Sequence, residues 1–108
     1  MPLPLSALRA RLASMLRTGG SLEQLASSLE IPPGQLQDTL REQQVSFAQL
    51  LDQTREAQAL LLLGSSELPL EQVAERIGFS SASALVKAFR RWQDTTPLSY
   101  RKERLGRD

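Results

Sequence analysis

Apolar residues recur along this chain at helical spacing, in blocks separated by Gly, Pro and Ser/Thr breaks. Leu5, Leu8, Leu12, Met15 and Leu16 share one face of a first predicted helix, Leu5 to Arg17, with its arginines mostly opposite and Gly19-Gly20 at its end. Ser21-Leu-Glu-Gln24 then reads as a capping box: the Ser21 hydroxyl accepts from a helix amide while the Gln24 side chain reaches back. Leu22, Leu25, Ala26 and Leu29 form the inner face of the short helix that follows. Ile31-Pro32-Pro33 breaks the chain, and Pro33 suits the first turn of a third helix, where its missing N–H is not needed. Leu36 and Leu40 face inward on that helix, which fades near Gln43-Gln44.

The longest helical pattern covers residues 46–63, with Ser46 as its cap. Phe47, Leu50, Leu51, Thr54, Ala57, Leu60 and Leu61 supply its predicted buried stripe. It would span roughly 25 Å at 1.5 Å per residue. Leu60-Leu-Leu-Leu63 is apolar nearly all round, which predicts burial on more than one side or an interface with an upstream domain. Gly64-Ser65-Ser66 closes the helix.

Residues 69–92 hold the densest pattern. Leu70, Val73, Ala74 and Ile77 make one apolar face, and Gly78 can take positive φ at little steric cost to end that helix. Phe79 is expected in the core, with Ser80 capping the next helix. That helix carries Leu85, Ala88, Phe89 and Trp92 inward. Outward it shows Ala82, Ser83, Val86, Lys87, Arg90 and Arg91, small residues early and cations late. A short helix, a Gly turn and a helix with this outward face describe a helix-turn-helix that enters the DNA major groove. Thr96 and Pro97 then start a last helix, anchored by Leu98 and Tyr100 and made basic by Arg101, Lys102 and Arg104.

Residues 21–51 and 70–100 repeat one order of features: Leu-Glu-Gln-[Leu/Val]-Ala, a break, a helix with a large apolar pair four apart, and a polar break before another helix. The predicted fold is therefore all-α, with about seven helices arranged as two homeodomain-like helix-turn-helix units joined by a long linking helix. The segments are 1–45, 46–64 and 65–108, together one DNA-binding domain.

Charge sharpens this picture once it is divided along the chain. The net charge of +1 over 108 residues hides three cations and no acids in 1–20, three cations against nine acids in 21–77, and seven cations against three acids in 78–108. A nucleic-acid footprint follows local charge, and here it points to the C-terminal third. The absence of Cys and His excludes disulfides, Cys/His metal sites and catalysis by either residue. No nucleophile–base pair, metal constellation or phosphate loop stands out, so no enzyme activity, catalytic residue, metal or cofactor is expected. Glu71 and Glu75 read as helix surface rather than as an acid–base pair. No apolar run reaches the roughly 20 residues of a membrane span, and Met-Pro-Leu-Pro-Leu does not resemble a signal peptide. A cytoplasmic location is expected.

Ile77-Gly-Phe-Ser80, Phe89-Arg-Arg-Trp92 and Thr96-Pro97-Leu-Ser-Tyr100-Arg101, taken in order, resemble the tandem helix-turn-helix DNA-binding domain of AraC-family transcription regulators. Ser46-Phe47-Ala-Gln-Leu50-Leu51-Asp-Gln-Thr-Arg55 resembles the start of that family's linking helix, and the likeness runs from about Ala7 to Arg104. The helix before Ser21 resembles the subgroup that carries a separate effector or dimerisation domain upstream.

What the resemblance implies is sequence-specific DNA binding in transcription control. It puts the second recognition helix at Ser81–Arg91, with Ala82, Ser83, Val86 and Lys87 toward bases. Ser80, Arg90 and the amides at Thr96–Leu98 would meet phosphates, with Arg91 on the same basic face. The first recognition helix departs from the family pattern of Ser-Pro-Arg-x-Leu-x-Arg. It keeps the apolar positions but has Gly34, Gln37 and Asp38 in place of arginines, with Gln35 beside them. Gln37 suits adenine; Asp38 would repel phosphate yet could accept from a cytosine amino group. Pro69 stands where the family places a Ser or Thr cap, a loss of about 1 kcal/mol.

Double-stranded DNA is the expected partner, with RNA polymerase subunits as further candidates. The chain itself is expected to be monomeric and its parent regulator dimeric. The second unit is expected to dominate DNA binding. The alternative is a helix-turn-helix scaffold used as a protein-interaction module, favoured by the acidic middle and opposed by the basic C-terminal third.

Overall fold

The computed structural model describes residues 3–106. Residues 1–2 and 107–108, which include the start of the Met-Pro-Leu-Pro-Leu segment and the last two charges, lie outside the described residues. Among the described residues there are seven α-helices: α1 (Leu5–Ala13), α2 (Leu22–Ser28), α3 (Pro33–Glu42), α4 (Phe47–Ser65), α5 (Leu70–Arg76), α6 (Ala82–Gln93) and α7 (Pro97–Leu105). A 3-10 turn at Leu16–Thr18 follows α1. The all-α tandem arrangement expected from the repeat is the one observed. The chain forms two compact units, one drawn from residues up to Arg55 and the other from Glu56 onward, so the division falls inside α4.

In the first unit Leu8, Leu12, Leu16, Leu25, Leu36, Leu40 and Leu50 are buried almost completely. Each such leucine is worth about 1.5–3 kcal/mol of burial. The first helix is shorter than its periodicity predicts. Ser14 and Thr18 turn their hydroxyls back to the Arg11 and Met15 carbonyls at 2.7 and 3.1 Å, and the chain tightens there into the 3-10 turn. The Ser21 capping box is present, with Gln24 N–H donating to Ser21 Oγ at 3.0 Å and Ser21 N–H donating to Gln24 Oε1 at 3.1 Å. A second box that the sequence reading missed starts α4: Ser46 and Gln49 exchange the same two bonds at 3.1 and 2.9 Å.

The buried side of α4 differs from the predicted stripe. Leu50, Thr54, Ala59 and Leu63 are buried, Phe47, Leu51 and Leu60 are half-buried, Ala57 is exposed and Leu61 is 58% exposed. Leu61 lies two residues from both Ala59 and Leu63, about 200° around the helix from each, so it cannot share their face. Thr54 is buried without an orphaned hydroxyl, because it donates to the Leu50 carbonyl at 2.6 Å.

In the second unit Val73, Ala74, Ile77, Leu85, Ala88 and Phe89 form the buried set with Ala59 and Leu63. Phe89 is fully enclosed and lies edge-on to Tyr100 at 5.6 Å and to Trp92 at 6.4 Å. Phe79 is half-buried rather than core, its ring 6.1 Å from that of Trp92. Leu98 is not an anchor of α7. It is 57% exposed, and buried Pro97 and half-buried Tyr100 hold the helix instead. Arg101 donates from Nε to the Leu63 carbonyl at 3.3 Å, which ties α7 to the end of α4.

Candidate nucleic-acid interface

Each unit contains a pair of helices joined by a tight turn: α2–α3 in the first and α5–α6 in the second. Gly78 has φ 89°, and the Phe79 N–H returns to the Ala74 carbonyl at 2.9 Å. This six-to-one bond ends α5 in the Schellman manner, which needs a residue at positive φ just past the helix. The N-cap of α6 is Ser81, not Ser80: its hydroxyl accepts from the Ala84 N–H at 3.1 Å. Backbone φ −159° and ψ 161° at Ser81 give the extended geometry a cap requires, one residue later than the sequence suggested.

From that cap, α6 presents two unlike sides. Leu85, Ala88 and Phe89 face the interior. Ser80, Ser81, Ser83, Lys87, Arg90 and Arg91 are exposed, while Ala82 and Val86 are half-buried on the flank between. The three cations come in the last two turns, where they also complement the negative end of the helix dipole. Lys87 and Arg90 have no ion pair with a described residue. The Arg91 guanidinium lies 5.8 Å from the centre of the Trp92 ring.

The start of α7 lies in the same unit. Thr96 Oγ1 accepts from the Ser99 N–H at 3.1 Å, and Pro97 has no N–H to offer. Of the amides expected to meet phosphate at Thr96–Leu98, Pro97 is therefore removed, and Leu98 is an exposed residue of the first turn. The basic character of α7 is also narrower than predicted, because Arg101 is engaged with α4 and Arg104 lies 5.8 Å from the Tyr100 ring centre.

The corresponding helix of the first unit, α3, begins after the N-cap Pro32 with Pro33 at its first position and no side-chain cap. Gly34, Gln35, Gln37, Asp38, Arg41 and Glu42 are all exposed, and Leu36 and Leu40 are buried. Counting from the two caps, Asp38 occupies the place of Lys87 and Arg41 that of Arg90. Asp38 and Arg41 form an ion pair, Nη1 to Oδ1, at 2.8 Å. Arg41 was missed in the sequence; registering the two helices from their caps would have found it. An open cleft of about 410 Å³ borders Gln37 and Arg41 where α3 gives way to α4.

Sequence and fold comparisons agree with this geometry. A family described as a helix-turn-helix domain matches residues 25–103. The chain is 38% identical over 88 residues to the HTH-type transcriptional regulator VirS of Mycobacterium tuberculosis, a match covering 81% of this chain and 26% of VirS. It thus spans about a quarter of the length of that curated relative. Among solved structures, a DNA-binding transcriptional dual regulator from Escherichia coli K-12 superposes with TM-score 0.76 at 29% identity, covering 93% of this chain and 94% of that one. The DNA-binding domain of AdpA, a global transcriptional factor solved with a target DNA, gives TM-score 0.74 at 30% identity, with 93% and 91% covered.

Proposed function

Because the chain belongs to the AraC-type helix-turn-helix family, we propose that it is the DNA-binding part of a transcription regulator, and that α6 supplies most of its grip on DNA. The observation that carries this is the outward face of α6, where Lys87, Arg90 and Arg91 stand exposed with no acid among them. A helix of this width fits the major groove, and such cations neutralise the flanking phosphates. On this reading Ala82, Ser83, Val86 and Lys87 face base edges. Ser80, Ser81, Arg90, Arg91, Thr96 and the Leu98 amide meet the backbone. In α3, Gln35, Gln37 and Asp38 face the groove but add little phosphate attraction, because the exposed face carries Asp38 and Glu42 against Arg41 alone. The segments 1–45, 46–64 and 65–108 then act as one DNA-binding domain of two unequal halves. Its setting is cytoplasmic, the chain acts on DNA as a monomer, and a parent regulator supplies dimerisation and contacts to RNA polymerase subunits.

The test is binding of the protein to promoter DNA from its own genomic neighbourhood across a salt series. Log K should fall linearly with log salt at a slope worth several phosphates, and Lys87→Ala should weaken binding at least several-fold. Binding no tighter than to random DNA would favour the scaffold as a protein-interaction module instead.

A further inference from the structure

The first unit contains a feature that the loss of arginines does not explain. Asp38, which stands where α6 has Lys87, is not a bare charge. Arg41 holds its Oδ1 at 2.8 Å, and the pair sits on the exposed face of α3, with the two side chains 64% and 76% exposed. The other oxygen of Asp38 accepts from no described residue. One turn earlier, an added Cβ at Gly34 would meet nothing within 4 Å. Glycine is a weak helix former and packing does not demand it here, so it leaves the helix backbone bare on the approach to Asp38.

From this geometry we infer that Asp38, with Arg41 as its positioning partner, selects cytosine in the half-site read by the first unit; the inference rests on the DNA-binding reading above. A carboxylate is a good acceptor for the exocyclic amino group of cytosine in the major groove. Its negative charge normally forbids the approach, because the groove is lined by phosphates. Arg41 removes that obstacle. It cancels the charge locally and occupies one oxygen, leaving the second as a directed acceptor. Gly34 lets the helix come close enough for a side chain as short as aspartate to reach a base. The pair thus exchanges the bare positive charge found at Lys87 and Arg90 for a directed acceptor. Salt-bridged pairs this exposed contribute little stability, so the arrangement is worth little to the fold itself.

The experiment is selection from duplexes carrying a randomised stretch, followed by competition between duplexes differing at one base pair. Wild type, Asp38→Asn, Asp38→Ala, Arg41→Ala, Arg41→Lys and Lys87→Ala are compared. Wild type should favour cytosine at one position by about fivefold or more. Asp38→Asn should move that preference to adenine, whose N6 and N7 an asparagine reads, and Asp38→Ala should abolish it. Arg41→Ala should weaken binding to every duplex and flatten the cytosine preference, and Arg41→Lys should restore both. Lys87→Ala should lower affinity while leaving the cytosine preference in place.

If Asp38→Asn and Asp38→Ala raise affinity equally for all duplexes and leave base preference unchanged, Asp38 is only an electrostatic brake and the inference is overturned. If wild type enriches no sequence at all, the DNA-binding reading falls with it. Retention of sequence selection with loss on Lys87→Ala separates the first failure from the second.

Discussion

In the first unit the Ile31 N–H returns to the Ala26 carbonyl at 3.1 Å; in the second the Phe79 N–H returns to the Ala74 carbonyl at 2.9 Å. Both turns place one residue at positive φ, Glu30 at 58° and Gly78 at 89°. The helices that follow each end on a residue at positive φ, Gln44 at 61° and Asp94 at 56°, although α3 closes with the Val45 N–H on the Leu40 carbonyl and α6 with the Asp94 N–H on the Arg90 carbonyl. On that shared backbone the two outward faces oppose each other in charge: Asp38, Arg41 and Glu42 on α3, Lys87, Arg90 and Arg91 on α6. The helix-turn-helix frame is thus set by buried apolar residues and turn geometry. Surface chemistry can then change sign without disturbing it.

The largest effects should come from breaking the frame. Phe89→Ala empties the site between Tyr100 and Trp92 and should cost about 3–5 kcal/mol in chemical denaturation. Leu40→Ala, at the matching position of α3, should cost about 2–5 kcal/mol. A loss under 1 kcal/mol at either position would mean that the frame does not rest on these side chains.

Next in size is the charge contrast. On non-specific duplex DNA at low salt, Lys87→Ala should weaken binding several-fold, because it removes a positive charge from the face of α6. Asp38→Ala should do the opposite, because it releases Arg41 and removes an acid from the face proposed to lie against DNA. If both substitutions shift the affinity in the same direction, the two faces are not functionally unlike.

Why the sequence disclosed so much of this is itself physical. Leu25 with Ala26, Val73 with Ala74, and the pairs Leu36/Leu40 and Leu85/Phe89 are all buried, because helical periodicity reports directly which side must leave water. What it could not report was local competition. Ser80 and Ser81 are equally good caps on paper, and only the length of the turn selects Ser81. Leu61 and Leu98 look like core residues by type, yet a run of four leucines cannot all face one side and α7 is held by Pro97 and Tyr100. The Asp38–Arg41 pair needed a register between α3 and α6, which a pattern of apolar positions alone leaves loose.

The turns give a smaller contrast. Gly78→Ala should destabilise the protein by about 1–2 kcal/mol, since a β-carbon is disfavoured at that φ. Glu30→Gly should stabilise the equivalent turn, or at worst be neutral, because relief of the strain at φ 58° is offset by the greater freedom of glycine in the unfolded chain. Thermal denaturation of both variants decides this. A stabilising Gly78→Ala would show that the two turns do not share their conformational demand.

The smallest effect separates the starts of α2 and α5. Ser21-Leu-Glu-Gln24 forms a reciprocal capping box, whereas Pro69-Leu-Glu-Gln72 has the same three residues behind a proline that offers no side-chain acceptor and no N–H. Pro69→Ser should let Gln72 N–H donate to the new hydroxyl and the Gln72 side chain accept from the new N–H, a gain of about 1 kcal/mol. Against it stands the loss of a residue already locked at φ −57°, which raises the entropy of the unfolded chain by about 0.4–1 kcal/mol. The net change should therefore lie between zero and about 0.6 kcal/mol of added stability, read as a rise in Tm of at most a few degrees. Ser21→Ala, where no rigid residue compensates, should lose about 0.5–2 kcal/mol. If Pro69→Ser instead destabilises as much as Ser21→Ala does, α5 starts on proline because rigidity serves it better than a cap, and the two units differ in their frame as well as in their charge.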